Sequence, residues 1–168
     1  MKARRLLRHL LMTHWRQRRM LPPRALHAFR EALAHSERRH SGKIRFVVEG
    51  ALHGAPLLHD QSPRQRALQV FANLHLWDTE ERNGVLIYLL LADRAVEIVV
   101  DRGAHRNIDT HHWQQICRAM EAEFRAGRYQ EGIAGGIAAV TELMAAQFPP
   151  THNPEHPHPD SPLVIGSR

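Results

Sequence analysis

Apolar residues along the chain switch between the spacing of strands and that of helices, and the switches mark its elements. Ile44, Phe46 and Val48 alternate within Ile44–Glu49, with Val47 on the other face, which is the pattern of a strand. Residues 50–61 hold two glycines and Pro56 and read as loop. Ser62-Pro63-Arg64-Gln65 then opens a helix: Ser62 caps, Pro63 suits the first turn, and Gln65 closes a capping box. Ala67, Leu68, Phe71 and Leu74 form its buried stripe, and it ends near His75–Trp77. Val85–Leu91 is apolar without interruption, as a central strand covered on both faces requires. Asp93-Arg94 is the expected two-residue turn into an antiparallel partner, Ala95–Val100. After the polar stretch Asp101–Thr110, Asp109 or Thr110 caps a helix whose stripe is Trp113, Ile116, Cys117, Met120 and Phe124, and Gly127 ends it. A last helix runs from Tyr129 to Phe148 with Ile133, Ile137, Val140, Leu143 and Met144 inward. Gly132, Gly135 and Gly136 weaken its start but allow a neighbouring backbone close.

The order strand, helix, strand, strand, helix, helix predicts an α/β sandwich with a small mixed central sheet, a β-α-β-β-α-α core preceded by N-terminal helices. This domain spans residues 41–148. Upstream, residues 1–20 alternate leucines with arginines, and Leu6, Leu7, Leu10, Leu11 and Trp15 recur at helical spacing. A basic amphipathic helix is expected there. Pro22 and Pro23 break it and start a second helix with the stripe Leu26, Phe29 and Leu33, which Ser41-Gly42 closes. Residues 149–168 contain six of the ten prolines together with His152, His156 and His158, and are expected to be a disordered tail.

Charge follows the same division. Residues 1–40 hold eleven Lys/Arg against two Asp/Glu, a balance of +9, while residues 41–168 hold twelve against fifteen, a balance of −3. The net charge of +6 is therefore a property of the N-terminal segment and says nothing of a nucleic-acid face on the domain. Nucleic acid is not an expected partner, because the basic segment lacks interleaved aromatics and a recognisable motif. The segment suits packing on its own domain, docking on a protein partner, or lying on an anionic membrane surface through residues 1–20. No stretch is long enough to span a bilayer, and Arg8, His9 and His14 interrupt any signal-peptide core. A cytoplasmic location is expected, with residues 1–20 able to hold the chain at the inner membrane face. Cys117, the single cysteine, excludes an internal disulfide and a thiolate zinc site and is expected to be a buried, inert thiol.

A right-handed crossover makes strands 44–49 and 85–91 parallel neighbours and brings loops 78–83 and 101–110 to one end of the sheet. Those loops carry Asp78, Glu80, Glu81, Asn83, Asp101, His105, Asn107 and Asp109. Carboxylate and amide oxygens converging from two loops are what Ca²⁺ or Mg²⁺ requires, and Asp78, Glu81, Asn83, Asp101 and Asp109 are the candidate ligands. Catalytic signatures are missing: there is no D-x-D pair after a strand, no G-x-S-x-G, no H-E-x-x-H and no P-loop. His111 and His112 are adjacent on a helix and point about 100° apart, so they are not a chelating pair.

Several segments in order resemble the TPM-domain family. They are Ser41–Val48, Arg66-Ala67-Leu68 leading to Leu76-Trp77-Asp78, Arg82–Ile87, Asp93–Ile98 with Asp101-Arg102-Gly103, and Phe124–Tyr129 with Gly132-Ile133. The resemblance covers residues 36–148. It implies an α/β sandwich with a mixed sheet, a Ca²⁺ or similar ion at the loop end in some members, and a weak acid phosphatase activity in plant lumenal members. An animal member serves as a receptor's auxiliary subunit. Many bacterial members carry a signal peptide and membrane helices, neither of which this chain is expected to have. The family motif that transfers best is Asn83-Gly84; Asp101 and Asp109 match acidic positions, and no nucleophile carries over. Two functions follow as expectations. One is a non-catalytic interaction module with a protein partner and a divalent-cation site at the open end of the hairpin. The other is a metal-dependent acid phosphatase acting on a small phosphate ester.

Overall fold

The computed structural model describes residues 3–150 and the backbone of residues 163–165. The expected tail therefore lies outside the described residues except for its first two prolines and that short segment. Alternation in the strands produces two separate cores. In β1 (Ile44–Glu49), β2 (Val85–Leu90) and β3 (Ala95–Val100), one face presents Ile44, Phe46, Val48, Val85, Ile87, Leu89, Val96 and Ile98. The other presents Val47, Leu86, Tyr88, Leu90 and Val99. β2 is buried along its whole length, which is why its sequence has no polar interruption. β1 and β2 run parallel from Ile44↔Val85 to Glu49↔Leu90, and β2 and β3 form the antiparallel hairpin from Val85↔Val100 to Leu90↔Ala95. A three-residue strand β4 (Leu163–Ile165) adds parallel to the free edge of β1, giving the order β3-β2-β1-β4. The sheet is mixed, as expected, and β4 is an addition to the expected core.

Three helices cover the first face: α3 (Pro23–Glu37), α7 (Thr110–Arg125) and α8 (Tyr129–Gln147). On the second face lie the single turn α4 (Ala55–Leu58) and α5 (Pro63–Asn73), opened by the Ser62–Gln65 capping box. Glycine spacing sets how near α7 and α8 approach. A Cβ on Gly132 would lie 2.8 Å from the Phe124 ring, and one on Gly136 would lie 2.3 Å from Met120 Sδ. Gly135 faces open space. Cys117 is half-buried, and burial pushes its thiol up to about 11, which keeps it protonated and unreactive at neutral pH.

Five expectations are corrected. Residues 50–61, expected to be loop, contain the single turn α4. Leu68, expected in the buried stripe of α5, is exposed, and Val70 is buried there instead. The basic helix is two helices, α1 (Ala3–Leu10) and α2 (His14–Met20), divided where Thr13 leaves helical geometry and caps α2 by accepting the Arg16 N–H. Part of the polar stretch 101–110 is a short helix, α6 (Arg102–Asn107), capped by Asp101. The hairpin turn has four residues, Leu91–Arg94, because Ala95 already pairs with Leu90; Arg94 takes the left-handed conformation at φ 52°.

Candidate functional site

The loop end of the hairpin is built by backbone bonds. The Asp101 N–H donates to Gly84 O at 2.9 Å, and the Gly103 N–H donates to Arg82 O at 2.8 Å. These two bonds join the start of α6 to the 81–84 segment. The approach needs glycine on both sides. A Cβ on Gly84 would lie 1.8 Å from Leu76 O, and one on Gly103 would lie 2.2 Å from Glu81 O. The two segments that sequence topology placed together therefore do meet.

Asn83 organises one half of this end. It is 2% exposed, its N–H donates to Thr79 Oγ1 at 3.0 Å, and its Nδ2 donates to Glu81 Oε2 at 2.9 Å and to Ser41 Oγ at 3.4 Å. Ser41 also donates to Glu81 Oε2. Ser41 and Thr79 were not among the expected site residues; a hydroxyl in a turn gives no periodic signal. Asp78 is exposed at the start of the loop and raises the Lys43 ammonium electrostatically, against the stronger lowering by burial.

Asp101 occupies the other half. Its Oδ1 accepts the Arg102 N–H at 2.7 Å, while its Oδ2 is buried with no hydrogen-bond partner. A buried carboxylate oxygen without a donor costs on the order of 1–3 kcal/mol or more, so Oδ2 is an acceptor in want of a donor or a cation. Asp109 is exposed and spends Oδ1 on the His111 N–H at the start of α7, at 2.7 Å. It caps a helix and makes no bond to Glu81, Asn83 or Asp101 among the contacts seen. Among the described residues, no group of three or more His, Cys, Asp or Glu stands close enough to hold a metal ion. Glu81 Oε2 is taken up by Asn83 and Ser41, which leaves Asp101 Oδ2 as the acceptor that a cation here would meet. His111 and His112 lie with ring centres 6.5 Å apart and nearly perpendicular.

The closed end of the hairpin, expected to be a turn, is where the N-terminal segment docks. Asp93 Oδ2 accepts from Arg5 at 2.9 Å and Oδ1 from Arg8 at 3.2 Å. Arg5 also reaches Asp60 Oδ1 at 2.6 Å and Gln61 O at 2.7 Å. His9, 1% exposed, accepts the Leu52 N–H on Nδ1 at 2.9 Å, which assigns its proton to Nε2, 3.2 Å from Asp93 Oδ1. Burial works to raise the Asp93 carboxyl, but the neighbouring His9 imidazole and Arg5 guanidinium outweigh it and hold it below the ordinary range.

Two further polar clusters are sealed in the layers. Ser36 Oγ lies 2.9 Å from His40 Nε2 and accepts from Thr141 Oγ1 at 2.7 Å, a hydroxyl–imidazole pair between α3 and α8 with both partners buried. Glu49 receives Arg66 Nε at 2.8 Å and the buried Tyr88 hydroxyl at 2.6 Å, and burial first, then Glu49, pushes the Tyr88 phenol well up. Neither is open to a substrate.

The model of the TPM domain matches residues 16–143. The fold is similar to the NMR structure of the BA42 protein from the psychrophilic bacterium Bizionia argentinensis, with TM-score 0.72 and 26% identity over 86% of this chain and 94% of that one. A weaker likeness, with TM-score 0.47 and 19% identity over 74% of this chain and 94% of the other, is to the N-terminal domain of a protein from P. gingivalis. No curated relative matches the chain. Among the described residues, no helix is long and apolar enough to cross a membrane.

Proposed function

The chain belongs to the TPM domain family, and on that premise we propose that it is a binding module whose loop end takes a divalent cation, Ca²⁺ or Mg²⁺, beside Asp101. The observation that supports this is the buried, unpartnered Oδ2 of Asp101 at the junction of the two segments. The donors nearby are oxygens, which suit a hard cation. With few charged ligands, affinity on the order of 10⁻⁴–10⁻³ M is expected. The ion would tie α6 to the 81–84 segment and set the shape that this end presents to a protein partner.

Calorimetric titration of the full chain with Ca²⁺ and with Mg²⁺ tests the reading, paired with thermal unfolding. At an ion concentration ten times Kd, linkage raises stability by about 1.4 kcal/mol, a rise of roughly 3–6 °C in Tm for a chain of this size. Asp101→Asn keeps an oxygen for the α6 cap and removes the charge, so it should fold and lose most of the ion effect. No heat and no shift in the wild type, or an equal shift in Asp101→Asn, would overturn the proposal. Mg²⁺-dependent hydrolysis of a phosphate ester that vanishes in Asp101→Asn would replace the binding module with a metal-dependent phosphatase.

A further inference from the structure

We propose that the outer face of α1 and α2 is a docking surface for an anionic lipid bilayer. The inner face of α1 is already committed, through Arg5, His9 and the packing of Leu6 against the α5-side core. The outer face leaves Leu7 56%, Leu10 65%, Leu11 50% and Trp15 68% exposed. These are four of the seven large apolar residues that the described surface exposes, and they fall within nine residues of chain. Scattered exposed leucines are ordinary; a cluster marks an interaction surface.

The cluster is one surface in space. Leu11 N–H donates to Leu7 O at 2.9 Å, so the two leucines stack one turn apart, with Leu10 beside them. Arg16 reaches back to Leu11 O at 3.3 Å, which brings the start of α2 against the end of α1. Trp15 follows, with the Arg19 guanidinium 5.7 Å from its ring centre. Between α2 and the start of α8 lies a cleft of ≈ 570 Å³ walled by Trp15, Arg16 and Arg19 on one side and by Arg128 and Glu131 on the other.

Charge selects the occupant. Residues 1–20 hold seven Lys/Arg and no Asp/Glu, and Arg4, Arg16 and Arg18 are exposed. A second copy would set this charge against itself. Leucines and a tryptophan rimmed by arginines suit the boundary between acyl chains and anionic headgroups, where the apolar side chains enter and the guanidinium groups bind phosphate. Because α1 and α2 are folded and pinned before they meet a bilayer, docking needs no coupled folding.

The test is co-sedimentation of the full chain with vesicles of phosphatidylcholine alone or with about a third phosphatidylglycerol, in chelator so that bound cations play no part. Binding is expected only with the anionic lipid, weakening as salt rises. Arg18→Gln should weaken partitioning about fivefold. Leu10→Ser/Leu11→Ser should abolish it with only a small fall in Tm, since both side chains are at least half exposed and only Leu10 lies within α1. Equal binding to neutral vesicles, binding unchanged in the double variant, or no binding would overturn the proposal. So would a dimer in sedimentation equilibrium that the double variant dissociates, because the face would then belong to a second copy.

Discussion

At Gly84 the chain turns so tightly beneath Leu76 that a methyl group has no place to go. The 1.8 Å approach is to a carbonyl oxygen, and backbone on both sides cannot swing aside as a side chain can. Gly84→Ala is expected to cost about 3 kcal/mol, the upper end of overpacking penalties, read as a lowered midpoint in urea. Since Gly84 O also receives the Asp101 N–H, the variant should weaken the cation response together with the fold. Asn83-Gly84 was legible in the sequence through the resemblance to the TPM-domain family, whose motif it carries best. Asp101 and Asp109 were both candidate ligands on sequence, and Asp109 a candidate cap as well; in the structure both cap helices, yet only Asp101 keeps a buried unpartnered oxygen, while Asp109 is exposed. Burial separates them, and burial of one acid is a tertiary property. Asp93 was read as a turn residue for the same reason: its partners Arg5, Arg8 and His9 lie more than eighty residues away.

The elements that periodicity identified are those whose apolar stripe is long enough to declare itself: β1, β2, β3, α3, α5, α7 and α8. α6 escaped because, of its six residues, only Ala104 is buried. Thr13 divides α1 from α2 by capping the second helix, while the leucine spacing runs on through the break. β4 has three residues, too few for alternation to show. Glycines in α8 allow a paired prediction at this scale. Gly135 faces open space with ordinary helical geometry, so Gly135→Ala should raise stability by about 0.8–1 kcal/mol through helix propensity alone. Gly132 lies against Phe124 and the Cβ of Glu123, so Gly132→Ala gains the same propensity but must displace packed atoms. A net loss of about 1–2 kcal/mol is expected. Chemical denaturation of the two variants checks the difference, which should have opposite signs; equal effects would mean that α7 and α8 are not held at the close distance seen.

Across the whole molecule, the +9 segment meets the −3 domain at several points, and Asp93 gathers the most of its cations, since Arg5, Arg8 and His9 all converge there while Arg5 also reaches Asp60. This junction makes the seating of α1 and α2 depend on pH, with a definite sign. The Asp93 carboxyl lies below its ordinary value in the folded state, so the unfolded chain binds its proton more readily. Its contribution to stability is therefore complete above the unfolded value of about 3.9 and is lost as pH falls through the lower folded value. Asp93→Ala should cost on the order of 2–3 kcal/mol at neutral pH, where charged hydrogen bonds are removed. The gap between wild type and variant should then narrow steadily below about pH 4. Glu123 and Glu142 are also lowered by arginine partners, but they are present in both proteins and cancel in the difference; Asp60, which shares Arg5 with Asp93 and is lowered by it, is coupled to Asp93, so both proteins are compared in an Asp60→Asn background. Thermal unfolding from pH 3 to pH 7 measures the gap, and protease cleavage within residues 1–20 reports whether the loss is local. If the gap stays constant with pH, Asp93 holds the segment by shape and not by charge. Cleavage that rises as the gap closes would show that the surface carrying Leu7, Leu10, Leu11 and Trp15 is presented only while this one carboxylate is ionised.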